Sequence, residues 1–451
     1  MQIQNQPRLR GMIGFIVVWI GQIVSVLASG MTAFAMTIYM YQQTKSAFAM
    51  SLVQVTYILP FLLMSPIAGV MVDRYNRKLM MMISDIGGGI ATCVLFVLFI
   101  TGRMQYWHLY ILTAVIGIGA TFQWPAYSAA ISVMLPKEQY GRANGMMSLI
   151  EAGPGVVAPL LAGALLPFIG IGGILLIDAI TYGIAIFALI AVFIPQPPAT
   201  SEGQKAKGSM LKEAAFGFQY IFKRPSLLGL QLIFFIGNLF SGIAFAVLAP
   251  MILARTNQST IALGSVQSAA SMGMVIGGVV MSAWGGFRKR VHGVLLGWIF
   301  FSLAGMVLFS FGHNLALWIP TALIGSLFSP LVNTSNQAIW QAKVAPDLQG
   351  RVFSARRLIA WFTNPISPVI GGALADFALE PAMKIQGAGL TPIFGSAFGS
   401  GPGSGMAILF FVCGLGGILI GLTGYFIPAI RDAEAVLPDH DALPVAEPAA
   451  A

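Results

Sequence analysis

The sequence is expected to fold as an all-α membrane protein, with twelve transmembrane helices in two pseudo-symmetric six-helix bundles. Three observations lead there: an extreme apolar composition, bilayer-length apolar stretches from end to end, and an echo between the two halves of the chain. Of 451 residues, 57% are hydrophobic and 9% are charged. A soluble domain carries about 25% charged residues. A helix rises ~1.5 Å per residue, so about 20 apolar residues cross ~30 Å of hydrocarbon. In lipid every backbone N–H and C=O needs a partner within the chain. Strand-like alternation is absent, so the spans are read as helices. The 52 glycines and 25 prolines then permit close helix contacts and bends in a membrane bundle.

Apolar runs place the spans near 12–40, 48–72, 79–101, 108–134, 143–168, 171–194, 227–253, 262–285, 292–312, 316–342, 352–376 and 405–428. The first follows Arg8 and Arg10 as a signal peptide would, but it is too long for a signal h-region and reads as a retained span. With an even number of spans both termini share a side. Twenty of the 24 Lys and Arg fall on that side, against four (Lys45, Arg103, Arg255 and Lys384) on the other. Positive charge stays inside, so both termini are expected in the cytoplasm. The net charge of +9 is therefore topological, and nucleic acid is not expected as a partner.

Residues 1–194 are read as the N-terminal six-helix bundle and 195–225, which open on Pro195-Gln-Pro-Pro198, as a cytoplasmic linker. Residues 226–430 form the second bundle, and 431–451 an acidic, Ala/Pro-rich, disordered tail. The connection near 377–403 ends in a Gly/Ser-rich run and is expected to be flexible.

The halves echo each other at Leu135-Pro-Lys-Glu-Gln-Tyr-Gly-Arg142 and Ala345-Pro-Asp-Leu-Gln-Gly-Arg351. From each arginine a proline follows at +17 (Pro159, Pro368) and Gly-Ala-Leu at +21 (Gly163, Gly372). Duplicated halves imply a site near the bilayer midplane, opened alternately to each side.

Between spans two and three stands Gly69-Val-Met-Val-Asp-Arg-Tyr-Asn-Arg-Lys78. This resembles the G-x-x-x-D-R-x-G-R-K loop signature of the major facilitator superfamily. The resemblance implies the major facilitator fold and a latch on the cytoplasmic gate built from Gly69, Asp73, Arg74, Arg77 and Lys78. Asn76 replaces the usual glycine, as asparagine does where φ must be positive. Ala158-Pro-Leu-Leu-Ala-Gly163 looks like a degraded GP-x-x-GG motif of drug/proton antiporters, and Ser367-Pro-Val-Ile-Gly-Gly372 stands at the equivalent place. Pro159, Gly163, Pro368 and Gly372 are thus helix-bend candidates, although small residues for packing explain them nearly as well. Phe122-Gln-Trp-Pro-Ala-Tyr-Ser128, Gly141-Arg-Ala-Asn-Gly145 and Leu176-Ile-Asp-Ala-Ile-Thr-Tyr182 resemble the macrolide-efflux and siderophore-export branch, near lysophospholipid transporters. That implies a multi-pass monomer of the bacterial inner membrane, energised by the proton gradient without a cofactor.

Charges within spans are costly and point to function. No Lys or Arg is read deep within a span, but Glu151, Asp178, Asp85 and Asp376 are. A carboxylate at such depth without a basic partner suits a group that gains and loses a proton, or one held neutral against a neighbouring helix. Glu151 ranks first as proton carrier and Asp178 second, with Thr181 and Tyr182 as static partners. Asp85 ranks third and is assigned to the gate near Arg77. By resemblance, spans one, four, seven and ten line the cavity and offer Gln22, Gln123, Trp124, Gln231, Asn238, Asn333 and Asn336. Amides among Phe, Met and Trp suit large, mainly apolar substrates. Phosphates or dicarboxylates would call for buried arginine.

No Walker-type loop occurs, and the four histidines show neither triad nor metal spacing. No catalytic or metal-ligating residue is assigned, and an enzyme is not expected. The best reading is export of small amphipathic, drug- or macrolide-like molecules by proton antiport. Lysophospholipid or siderophore transport is the alternative, and a membrane sensor or assembly factor is the alternative of a different class.

Overall fold

The computed structural model describes residues 9–136, 140–195, 217–344, 346–384 and 389–437, and every extended element among them is helical. Ten helices among the described residues are long and apolar enough to cross a membrane. Their outer faces carry large apolar side chains in the open, including Ile90, Val97, Phe187 and Leu419. Such faces would be costly in water and are natural against lipid tails. The protein is a multi-pass, all-α membrane protein.

The chain divides into two compact units. Residues 1–199 and 249–268 form unit 1, and 200–248 with 269–451 form unit 2. Unit 1 contains α1 (Gly11–Thr44), α2 (Ala47–Arg74), α3 (Arg77–Ile100), α4 (Tyr106–Met134) and α5 (Tyr140–Ala191). Helix α1 packs mainly on α5, α2 on α4, and α3 on both α4 and α5. Phe15, Met81, Tyr127, Met147 and Leu189 share its core.

Unit 2 holds α6 (Pro225–Ala246), most of α8 (Thr260–Trp284), α9 (Arg290–Ser302) and α10 (Leu315–Lys343), while α7 (Leu248–Arg255) falls largely in unit 1. It continues with α11 (Pro346–Trp361), α12 (Thr363–Leu374), the short α13 (Glu380–Lys384) and α14 (Thr391–Phe398), and α15 (Ser404–Phe426). Helix α6 packs on α12 and α15, and α9 on α10 and α15. These pairings parallel those of unit 1, where α1 packs on α5 and α3 on α4 and α5.

Helix α5 runs through 52 residues with one break, at Gly170, where φ is 64° and ψ is −177°. Only glycine occupies that region readily. Two helices therefore meet there without a loop, at the gap between the apolar runs 143–168 and 171–194. Leu303–Leu308 and Ala375–Leu379 wind as π-helices, the second carrying Asp376.

Two expectations need correction. The connection after span eleven is not a flexible loop throughout. Glu380, 7% exposed, accepts the backbone N–H of Gly403 (3.2 Å) and Met406 (3.1 Å) and so caps α15. An acid at a helix N-terminus satisfies orphan donors and meets the positive end of the dipole. Nor is the tail free from Arg431 onward. Short helices α16 (Pro428–Arg431) and α17 (Ala433–Val436) continue the chain. Glu434 accepts the N–H of Val291 at the start of α9, and Lys343 donates to the carbonyls of Glu434 and Leu437. Residues 438–451, like most of the expected linker, lie outside the described residues.

Replacing Gly170 by Ala should cost about 1–3 kcal/mol, because a Cβ is strained in that region whatever the space around it. Gly183 is helical and has open space beside it, so Gly183→Ala should be neutral or stabilising by up to ~1 kcal/mol. Thermal unfolding of both variants in detergent checks the contrast.

Candidate functional site

Two polar clusters stand in unit 1, each built around an acid with neutral partners. On α3, Asp85 lies eight residues beyond Arg77, about 12 Å along the helix. It is 4% exposed. Its Oδ2 accepts from Gln22 Nε2 of α1 (2.8 Å) and its Oδ1 from Gln123 Nε2 of α4 (3.0 Å). Gln123 Nε2 also donates to Gln22 Oε1 at 2.7 Å. Three helices thus converge on one carboxylate through carboxamides. Asp85 was expected beside Arg77 in a gate network. Its two oxygens are instead taken by two of the proposed cavity amides, because an inward-facing register on α3 aims it at α1 and α4.

Gln123 Oε1 is buried and has no partner among the described residues. That unused acceptor matters chemically. As a carboxylate, Asp85 accepts from both amides. As a neutral acid it carries an O–H donor, for which an amide oxygen is the complementary partner. The same three side chains can therefore satisfy both protonation states by reorienting an amide.

The second cluster surrounds Asp178 in the latter part of α5, which is fully buried. Ser29 Oγ of α1 donates to Oδ1 (2.8 Å) and Thr92 Oγ1 of α3 to Oδ2 (3.4 Å). Thr181, expected to hold the carboxylate, bonds the backbone carbonyl of Asp178 instead (2.8 Å). Its position three residues on is the ordinary reach of a threonine hydroxyl to its own helix. Tyr182 lies with its ring against Gly88 and Gly89 of α3.

Of the gate motif, Arg77 and Lys78 open α3, and Lys78 Nζ donates to the carbonyls of Ile190 (3.1 Å) and Val192 (2.7 Å). A cation at a helix C-terminus satisfies orphan carbonyls and the dipole together. Asn76 was expected to supply a positive φ. It has φ −62° and is instead the N-cap of α3, its Oδ1 accepting from Leu79 N at 3.2 Å. Asparagine is among the best residues for that role. Gly69, Asp73 and Arg74 fall on the last turns of α2, Trp124 on α4 and Glu151 on α5, and their side chains lie outside the described residues.

The bend motifs are packing points. Gly163 presents its carbonyl to Thr260 Oγ1 (3.1 Å), and a Cβ there would stand 2.9 Å from the Thr260 carbonyl oxygen. A Cβ on Gly264 would likewise collide with the carbonyl of Pro159. Pro368 and Gly372 are buried within α12.

Unit 2 contains a cavity of about 480 Å³. Gln231 and Asn238 of α6, Asn333, Asn336 and Gln337 of α10, and Asn364 of α12 give it carboxamides. Phe234, Phe245, Phe353 and Trp361 give it apolar walls. The four amides predicted for this half thus come together. Asn336 accepts from Trp340 Nε1 (3.0 Å), Asn333 donates to the Ser329 carbonyl (3.0 Å), and Gln231 donates to the Arg356 carbonyl (3.1 Å).

The sequence reading missed that Arg356 and Arg357 of α11 also line this cavity. An arginine pair four residues into an apolar run passes for the cytoplasmic end of a span. The available signal was the aromatic residues Phe353 and Trp361 at helical spacing around them.

Replacing Gln22 by Leu removes one donor from a buried carboxylate and should destabilise the protein by about 1–3 kcal/mol. Asp85→Asn in the Gln22→Leu background should cost less than the sum of the single changes. A double-mutant cycle by thermal unfolding checks this coupling.

Comparison with known proteins accords with this geometry. Residues 18–368 match the family model described as Major Facilitator Superfamily. "Macrolide efflux protein A" of Streptococcus pyogenes is 24% identical over 369 residues, covering 80% of this chain and 89% of that protein. "Multidrug efflux pump Tap" of Mycolicibacterium fortuitum is 24% identical over 417 residues, covering 90% and 93%. Among solved structures, a bacterial homologue of the human lysosomal transporter Spinster superposes with a TM-score of 0.65 at 16% identity, covering 93% of this chain and 98% of that one. The nucleoside transporter NupG gives 0.62 at 13%, covering 91% and 98%. These structures share the fold. The chain belongs to the Major Facilitator Superfamily, and it is a secondary transporter of the membrane rather than an enzyme.

Proposed function

We propose that this protein exports small amphipathic, drug- or macrolide-like compounds from the cytoplasm in exchange for protons, by alternating access and as a monomer. The observation that carries the reading is the Asp85–Gln22–Gln123 cluster. It is an acid on one helix held by neutral amides from two others, with an amide oxygen left unpartnered among the described residues. Such a group can be loaded and unloaded without breaking an ion pair. Asp178, between two hydroxyls, is the second candidate carrier, and Glu151 remains a third on its place in the sequence. The relatives named for macrolide and multidrug efflux favour the same substrate class.

In this reading there are twelve spans in two bundles, residues 1–194 and 226–430. Helix α4 joins the ten apolar helices, and α5 counts twice because of its break at Gly170. The distribution of Lys and Arg puts both termini in the cytoplasm of a bacterium, with the protein in its inner membrane. Gly69, Asp73, Arg74, Arg77 and Lys78 serve the cytoplasmic gate. No cofactor is required.

A second reading, transport of a lysophospholipid or siderophore, is favoured by one observation: Arg356 and Arg357 line the cavity of unit 2. Anionic groups on such molecules would meet them. A sensor or assembly factor would not need a cavity of this size.

The test is accumulation of a labelled macrolide in efflux-deficient cells expressing the chain, with and without a protonophore, beside Asp85→Asn, Asp178→Asn and Glu151→Gln. The expected result is lower accumulation that the protonophore and Asp85→Asn both abolish. Lower accumulation that survives Asp85→Asn but not Asp178→Asn or Glu151→Gln would move the carrier to that residue. Accumulation unchanged by the chain would set the macrolide aside.

A further inference from the structure

Two arginines stand at one cavity, Arg356 partly buried and Arg357 exposed. Both guanidiniums are flanked by aromatic rings. Arg356 Cζ lies 5.3 Å from the Trp340 ring centroid and 5.7 Å from that of Phe353, and Arg357 Cζ lies 5.7 Å from that of Trp361. Arg356 Nη1 donates to Gln337 Oε1 at 2.9 Å. Among the described residues, the cavity's lining includes no Asp or Glu. The ring faces and Gln337 fix the plane of the Arg356 fork, and Gln337 takes only one of the five N–H donors that a guanidinium has.

We propose that this cavity binds the anionic group, a carboxylate or phosphate, of an amphiphilic substrate, with Arg356 as its principal ligand and Arg357 supporting the charge. The inference rests on the reading of the chain as a transporter of amphipathic compounds and narrows its substrate class. A planar fork held by aromatic faces is preorganised for bidentate contact with two oxygens. Gln231, Asn238 and Asn364 can donate to further oxygens from the same lining. Phe234, Phe245 and Trp361 supply an apolar wall for the hydrocarbon part. A volume of about 480 Å³ lies within the range of ~300–1,000 Å³ usual for small-molecule sites.

The experiment uses the purified full-length chain in nanodiscs of zwitterionic lipid. It is titrated with 11-(dansylamino)undecanoate and with the corresponding primary amide, which keeps the tail and removes the charge. The carboxylate is expected to bind at least about tenfold more tightly, the scale of one charge-assisted hydrogen bond. Arg356→Gln should bring the carboxylate to the affinity that the unaltered chain shows for the amide, and a cooperative thermal unfolding transition shows that the variant is folded. Arg356→Lys should give an intermediate preference, since it keeps charge and loses the fork. Equal binding of carboxylate and amide by the unaltered chain would overturn the proposal. So would a preference that survives Arg356→Gln combined with Arg357→Gln.

Two further arms identify where the anion comes from. Arg356-dependent displacement of the probe by inorganic phosphate supports recognition of the anionic group alone. Arg356-dependent displacement by phosphatidylglycerol in the nanodisc supports the site and assigns its anion to a lipid head group. Efflux of both probes from energised cells separates this inference from the transport reading. Equal, protonophore-sensitive efflux of acid and amide with no binding preference would sink the anion site and keep the exporter. An Arg356-dependent binding preference without efflux of either probe would do the reverse.

Discussion

Hydrocarbon offers no hydrogen bonds, so every polar group drawn into it must find its partner within the chain. Most of this structure follows from that constraint. It makes the described spans helical, and it decides how helix ends are finished. Lys78 covers the carbonyls at the end of α5, Glu380 takes the N–H groups that open α15, and Glu434 does the same for α9. Where the chain turns without a loop, glycine at residue 170 takes the backbone conformation required.

The same constraint sorts the polar groups within the helices. In unit 1 the buried acids meet amides and hydroxyls, from Gln22 and Gln123 at Asp85 and from Ser29 and Thr92 at Asp178. An ion pair in such a place would hold its proton state fixed, because removing the charge of one partner strands the other. Neutral partners leave the acid able to change. In unit 2 the charge that lines the cavity is cationic, with aromatic rings beside it. Chemistry that serves a mobile proton and chemistry that would hold an anionic group therefore occupy different units.

Much of this was legible in the sequence because apolar length and period are one-dimensional. The helices begin and end close to the apolar runs, and even the join within α5 appeared as a gap between 168 and 171. Pro159 and Gly163 were singled out by spacing as bend candidates, and both lie at a close backbone approach. What stayed hidden depends on which way a side chain points. Asp85 could be placed by depth but not by azimuth, so its partners were misassigned. Arg356 and Arg357 read as the basic end of a span, since a long side chain can reach either water or a cavity from the same Cα. Glu380 was hidden in a connection rich in Gly and Ser, where composition suggested flexibility and a single buried cap imposes order. Asn76 was read through a motif's glycine, although a capping asparagine needs no positive φ.

The central claim is that a buried acid with neutral partners lets substrate movement draw on the proton gradient. The most direct measurement uses everted membrane vesicles from cells expressing the chain, energised so that their lumen acidifies and monitored with a fluorescent pH-gradient dye. Adding erythromycin, or the dansyl carboxylate, should partly restore the dye's fluorescence beyond the change in vesicles lacking the chain, as protons leave in exchange for substrate. Vesicles carrying Asp85→Asn should show no such excess. Substrate that accumulates in the vesicles with no excess proton movement, or an excess that Asp85→Asn leaves intact along with Asp178→Asn and Glu151→Gln, would contradict the account.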